Sequence, residues 1–294
     1  MAIDFRKLIE AGVPFGHPTS SWNPKMAPYI WGHKNKVYLI NVLETARLME
    51  KAADFLTSVA AAGKTILWIG TKKAARNIIT ETAKETGYPY VSHRWIGGSL
   101  TNYSQIRKPI VKLLHFRDIL AKNDHAHNTK KELSRLQKEA DRLANNFGGL
   151  INFKWPLGAI VIVDVRKEQA ALKEAAALGI PVVALVDTNS NPELVSYVIP
   201  ANDDAPKSIK IVIDYLAEAV KKGKEQAKGA QEVVAQGPAP VVSTEALVEV
   251  FTPEALVVVE EEGESADSLK AAKVKRFKEP AFQPKTDGKK KINK

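Results

Sequence analysis

Hydrophobic positions fall into short continuous runs separated by stretches of helical period. TILWIG (65–70), AIVIVD (159–164) and IPVVALVD (180–187) are rich in β-branched residues and lack in–out alternation, the pattern of strands buried on both faces of a parallel sheet. KVYLI (36–40) and YVIP (197–200) are shorter strand candidates. Apolar spacing predicts helices over about 44–62, 74–86, 168–178 and 205–222, the first three closing near Gly63, Gly87 and Gly179, where a residue tolerant of positive φ ends a helix. This alternation predicts an α/β protein with an open, mostly parallel, doubly wound sheet.

The alternation breaks between Val91 and Ala159. Leu133, Leu136, Ala140, Leu143 and Phe147 recur at steps of three and four, a heptad seam, and Ile106, Ile110, Leu113 and Leu120 form a looser one interrupted by Arg117. They predict an antiparallel, coiled-coil-like helical hairpin inserted at about 104–148, turning at KNDHAHN (122–128). Pro109 is expected in its first turn, where a missing amide donor costs nothing. Residues 1–222 then form one α/β domain bearing the arm. Beyond them, residues 223–267 hold 2 basic and 10 acidic residues and residues 268–294 hold 10 and 2. Such charge blocks, with Gly and Pro, predict a disordered C-terminal extension over 223–294, although ALVEVFTPEALVVVE (246–260) is apolar enough to bind a partner or pair as a strand.

Charge sharpens the picture. The chain has 43 Lys+Arg and 33 Asp+Glu, and 12 of each lie in 223–294, so the first 222 residues carry the whole net +10. That excess suits a polyanion, RNA being the commonest, or else a plain solvated basic surface. The absence of cysteine excludes disulfides and thiolate metal sites. No run of about 18 apolar residues occurs and MAIDFRKLIE does not read as a leader, so a cytoplasmic protein without a membrane span is expected.

Several stretches carry chemical potential. HRWIGGSLTNYSQIRKPI (93–110) joins a strand-like run to the arm. Its glycines allow the backbone to approach a partner, Arg94, Arg107 and Lys108 supply charge, and Trp95 and Tyr103 offer flat faces, unless the tryptophan simply fills the core. Lys25, Lys34 and Lys36 of the N-terminal loop could complete one basic junction with them, while Lys130, Lys131, Arg135, Lys138 and Arg142 lie along the arm. Gly70-Thr71-Lys72-Lys73 follows a strand and opens a helix, a place for a phosphate of nucleic acid, but it has neither P-loop nor GxGxxG spacing. His125 and His127 flank one alanine in the expected turn, without a third ligand nearby. Asp187, Asp203 and Asp204 follow strand candidates whose carboxyl ends share a crevice. If the glycine-rich loop carrying His17 folds over them, His17, Asp187 and Asp204 could ligate zinc or magnesium; otherwise the aspartates cap helices and loops.

LIEAGVPFGHPTSSWNPKMAPYIWGHKNKVYLIN (8–41), ILWIGTKKAA (66–75), YVSHRWIGGSLTN (90–102), IPVVALVDTNSNP (180–192) and VIPANDDA (198–205) together resemble blocks of the bacterial small-subunit ribosomal protein S2 family, in the right order. Two positions depart from it: Pro14 stands where the pattern leads one to expect histidine, and Pro156 comes one residue early before AIVIVD. The resemblance implies a parallel α/β domain with a protruding helical hairpin at the junction of subunit head and body. It also implies a non-catalytic structural component that binds ribosomal RNA and neighbouring ribosomal proteins and helps anchor ribosomal protein S1, with no required cofactor, membrane contact or small-molecule substrate. The rivals are a nucleotide-binding enzyme of similar form and a free RNA-binding or scaffold module, because an α/β fold by itself decides no function.

Overall fold

A computed structural model describes residues 3–122 and 129–236, with side chains for 3–121 and 129–227. The elements run α1 (Phe5–Glu10), β1 (Phe15–Pro18), a 3₁₀ turn (Pro24–Tyr29), β2 (Ile30–Lys34), β3 (Val37–Ile40), α2 (Val42–Ala61), β4 (Thr65–Ile69), α3 (Arg76–Thr86) and β5 (Tyr90–Val91). They continue with α4 (Tyr103–Lys122), α5 (Lys130–Phe147), a second 3₁₀ turn (Gly148–Leu150), β6 (Leu157–Val163), α6 (Gln169–Ala177), β7 (Val182–Val186), β8 (Tyr197–Pro200) and α7 (Pro206–Gln236).

The main sheet is parallel with order β5-β4-β6-β7-β8. β6 and β7 are apolar at every step, and β4 is so after Thr65, because both faces are covered. Ile66, Trp68, Val161, Val163, Val183 and Leu185 pack on one face with α2, α3 and α7, while Leu67, Ile69, Ile160, Ile162, Ala184 and Val186 pack on the other with α6 and the bases of α4 and α5. Ile209, Val212, Ile213, Leu216 and Val220 of α7 are fully buried against the first face, each contributing about 1.5–3 kcal/mol of burial.

Three features differ from the sequence expectation. KVYLI does not join the parallel sheet: β3 is the centre of a separate antiparallel sheet, order β1-β3-β2, built from the segment read as a loop. Proline, glycine and histidine hide its alternation, and the register shifts along both pairings. The last helix runs to Gln236, 14 residues beyond 222; a Cβ on buried Gly223 would run into the carbonyl oxygen of Thr57 on α2, so close packing continues past the compositional boundary. Pro109 lies inside α4, not in its first turn, because the helix already starts at Tyr103.

In α4 and α5, Ile106, Ile110 and Phe147 belong to the main core, whereas Leu113, Phe116 and Ala140 form a separate cluster farther along, with Leu120, Leu136 and Leu143 against it. Residues of the two helices thus meet in opposite order, and the Lys112 ammonium lies 2.6 Å from Glu139. Phe116, not Arg117, continues the α4 seam: Phe116 is buried and Arg117 exposed. Thr129 starts α5 with a capping box closed by Glu132. His125, His127 and positions 237–294, with the apolar stretch 246–260, lie outside the described residues.

Candidate functional site

The N-terminal segment folds over the carboxyl ends of the parallel strands. Asn202 holds it there: its N–H donates to the Val13 carbonyl at 3.1 Å and its side-chain amide to the Gly12 carbonyl at 3.1 Å. Gly16 permits closest approach, since a Cβ there would stand 2.6 Å from Thr188. The next backbone N–H, of His17, donates to Thr188 Oγ1 at 2.8 Å.

This docking delivers the imidazole into the aspartates. His17 Nδ1 lies 3.1 Å from Asp187 Oδ2 and Nε2 lies 3.3 Å from Asp204 Oδ2, so the three residues singled out for a metal do converge. Asp203, their buried neighbour, fits better than Asp204: one potential ligand atom from each of His17, Asp187 and Asp203 falls within 4.8 Å of the others. Asp204 is 61% exposed and turned to Lys72. Asp203 Oδ2 is buried without a hydrogen-bond partner, a costly state for a carboxylate oxygen.

Lys72 is the resident cation. Its ammonium lies 2.6 Å from Asp203 and 2.6 Å from Asp204, with Asp164 at 3.6 Å. Burial works against that ammonium, but its hydrogen bonds to Asp203 and Asp204 prevail and raise its pKa. Burial, then the Asp164 and Asp187 carboxylates, push Asp203 up to about 7, because four carboxylates outnumber the cations facing them. The hydrogen bond to Asp187 holds the imidazole of His17 above its usual pKa despite partial burial. One imidazole with carboxylate oxygens is a donor set for zinc, or for a harder divalent ion such as magnesium.

The segment Gly70–Lys73 is largely committed inward. Thr71 donates its hydroxyl to the buried Glu168 carboxylate, Lys72 is paired as above, and only Lys73 faces solvent.

The loop 93–102 is organised by Glu174 of α6. Its carboxylate accepts from Trp95 Nε1 at 3.1 Å, Gly98 N at 2.9 Å and Leu100 N at 3.0 Å, with Thr101 N at 3.4 Å. Gly98 takes φ +86° in this turn. Trp95 is only 8% exposed and part of the core, so the core alternative holds for it and its faces are closed to stacking. Tyr103 likewise packs on Phe153, ring centroids 4.8 Å apart. Sequence reasoning missed Glu174, which lies in a helix with no motif around it.

Arg94, Arg107 and Lys108 are exposed at this loop and the start of α4, and Lys34, Lys36 and Lys73 are exposed elsewhere; none of the six has an ion-pair partner among the described residues. Lys25 instead pairs with Glu193. Beside Lys34, the half-exposed or exposed side chains of Ile9, Phe15, Trp31 and Leu43 line an apolar groove of about 750 Å³.

In this parallel α/β domain the strand-end crevice holds His17 and Lys72 in ion pairs with its own aspartates, while Arg94, Arg107 and Lys108 stand exposed at the loop and the start of α4. Residues 8–223 match the family described as Ribosomal protein S2, and the chain belongs to that family. It is a ribosomal protein of the small subunit and acts in translation, a structural class whose partners are ribosomal RNA and other ribosomal proteins. No described helix is long and apolar enough to cross a membrane.

Proposed function

We propose that this chain is a structural constituent of the small subunit that binds ribosomal RNA directly at the base of α4, through Arg94, Arg107 and Lys108, with Lys34, Lys36 and Lys73 as further phosphate contacts. The observation that carries the reading is the unpaired state of Arg94, Arg107 and Lys108 around a loop stiffened by Glu174. Phosphate neutralisation needs free cations on a rigid frame, whereas catalysis would need a positioned acid or base open to substrate. Lys72 and Trp95 act as internal anchors in this scheme, and Lys25 is engaged by Glu193. The helices α4 and α5 form an antiparallel, coiled-coil-like arm whose outer part docks on neighbouring components. The groove at Phe15 and Trp31 is apolar and suits a protein rather than a phosphate; we propose it for ribosomal protein S1, the partner that the family resemblance implies.

His17, Asp187 and Asp203 would hold a divalent cation, zinc or magnesium, with Asp204 at the rim. A cation there would satisfy the orphaned Asp203 oxygen and offset the excess of carboxylates, fixing the N-terminal segment to the sheet.

The decisive experiment measures binding to ribosomal RNA, and incorporation into subunits by sedimentation, for a folded Arg94→Glu/Arg107→Glu protein. Weaker binding with a shallower salt dependence is expected. Unchanged affinity and salt slope would remove RNA contact from this loop.

A further inference from the structure

Beside the ion-paired crevice lies a second depression that the family match does not account for. It is a cleft of about 580 Å³ between the turn after β6, the start of α6, the loop after β7 and the N-terminal segment. Its chemistry is one-sided. Among the described residues, Arg166 and Lys173 are its charged lining groups, no carboxylate lines it, and the other polar lining groups are hydroxyls and amides, Ser20, Gln169 and Asn191 among them.

The turn after β6 separates Arg166 from its neighbour Lys167. Asp164, at φ +68°, makes a tight turn in which its carboxylate accepts from the Lys167 N–H at 3.0 Å. The Lys167 ammonium is drawn away to the Thr71 carbonyl at 3.1 Å. Arg166, one residue earlier, lines the cleft instead. Lys173 stands four residues beyond Gln169 and so on the same face of α6. Neither Arg166 nor Lys173 has an ion-pair partner among the described residues. Buried Val165 and Leu172 and half-exposed Leu194 supply an apolar wall. The Asn23 N–H donates to the Thr188 carbonyl at 2.7 Å, tying the N-terminal wall to the loop after β7.

Two cations, an apolar wall and a ring of neutral donors and acceptors, in a volume ordinary for a small-ligand site, match one nucleotide. We infer that this cleft binds a single unstacked ribonucleotide, its phosphate on Arg166 and Lys173, its base against Leu172 and Leu194, and its sugar hydroxyl and base edge on the serine and amide groups. The source is an extruded nucleotide of RNA rather than a free mononucleotide, since the cleft is open on its solvent side and single-stranded RNA presents unstacked bases. The inference rests on the RNA-binding reading only for this choice of source.

The test uses the full-length protein and three probes: uridine 5′-monophosphate, a short RNA hairpin with one bulged uridine, and the same hairpin fully paired. Arg166→Gln/Lys173→Gln is compared with wild type and with Arg94→Glu/Arg107→Glu, all checked for an unchanged melting curve. The cleft variant is expected to lose at least about tenfold of its affinity for the bulged hairpin, lower the salt slope by about 1 to 2, and bind the paired hairpin as wild type does. The junction variant should weaken both hairpins alike, so a failure of RNA binding at the junction is separable from a failure of the cleft. Uridine 5′-monophosphate binding more tightly than the bulged hairpin, with the same loss in the cleft variant, would assign the site to free nucleotides. Equal affinity of wild type and cleft variant for every probe would overturn it.

Discussion

Trp95 and Glu174 are 79 residues apart in the chain, yet the indole N–H donates to the Glu174 carboxylate at 3.1 Å. The same carboxylate gathers the backbone donors of Gly98 and Leu100, so one helix side chain sets the shape of the loop that begins the arm.

Glu174→Gln should therefore cost about 1–3 kcal/mol, the worth of charge-assisted hydrogen bonds to a partly buried acceptor. Burial opposes the Glu174 charge, but the donors outweigh it and hold its pKa below the ordinary 4.5. A depressed carboxylate contributes stability that is present above 4.5 and is lost as pH falls through its folded pKa. Thermal melts across the acid range should show wild type and variant separated near neutrality and converging as the pH drops below 4.5. Parallel curves at all pH values would dissociate the charge from the loop.

The α4–α5 pair divides at its two clusters. Replacing residues 112–141 by a short Gly-Ser link removes only the outer cluster of Leu113, Phe116 and Ala140 and should leave the core's melting transition in place while reducing subunit incorporation. Replacing 107–147 also removes Ile110 and Phe147 from the main core, and the melting temperature should fall by several degrees. Equal melting of the two deletions would show that the base of the arm contributes nothing to the core.

A chain ending at Lys222 should melt below one ending at Gln236. The shorter chain loses Gly223, packed on Thr57, and Lys224, whose ammonium sits 3.8 Å from the Tyr88 ring centroid and donates to the Thr86 carbonyl. Gly223→Ala probes the same contact by overpacking, with an expected cost of about 1–3 kcal/mol in denaturant melts.

For the cation, the stripped protein should take up about one zinc or magnesium ion per chain, and saturation at a hundred times Kd should raise stability by about 2.7 kcal/mol. His17→Ala and Asp203→Asn should each abolish both effects by elemental analysis and melting. Uptake unaffected by either change would leave His17 as a tether to Asp187 and no more.

Much of this was legible in the chain. The inner strands of the main sheet read directly because burial on both faces demands unbroken apolar runs, whereas strand ends bring only the aspartates together. Whether His17 reaches them or they serve as caps is open in the sequence, and the docking of the N-terminal segment through Asn202 and Thr188 decides it. The antiparallel sheet of β1, β2 and β3 was not legible: its strands are four or five residues long and carry Gly16, Pro18 and Gly32. The inward turn of Lys72 was equally hidden, since a lysine opening a helix looks the same whether it meets a phosphate or three aspartates. Trp95 left two readings open, and only its distant partner Glu174 decides between them.

The position of α7 bears on how the protein is made. One face of the sheet can be closed by α6 and the arm before residue 206 leaves the ribosome, but the other, with α2 and α3 already in place, stays open until the final helix arrives. During synthesis at about 5–20 residues per second, a nascent chain therefore presents greasy strands and the inner side of α2 to the cytosol for seconds. That interval is when a chaperone would find the most to hold, and a ribosome stalled before residue 206 would leave a product unable to bury that face.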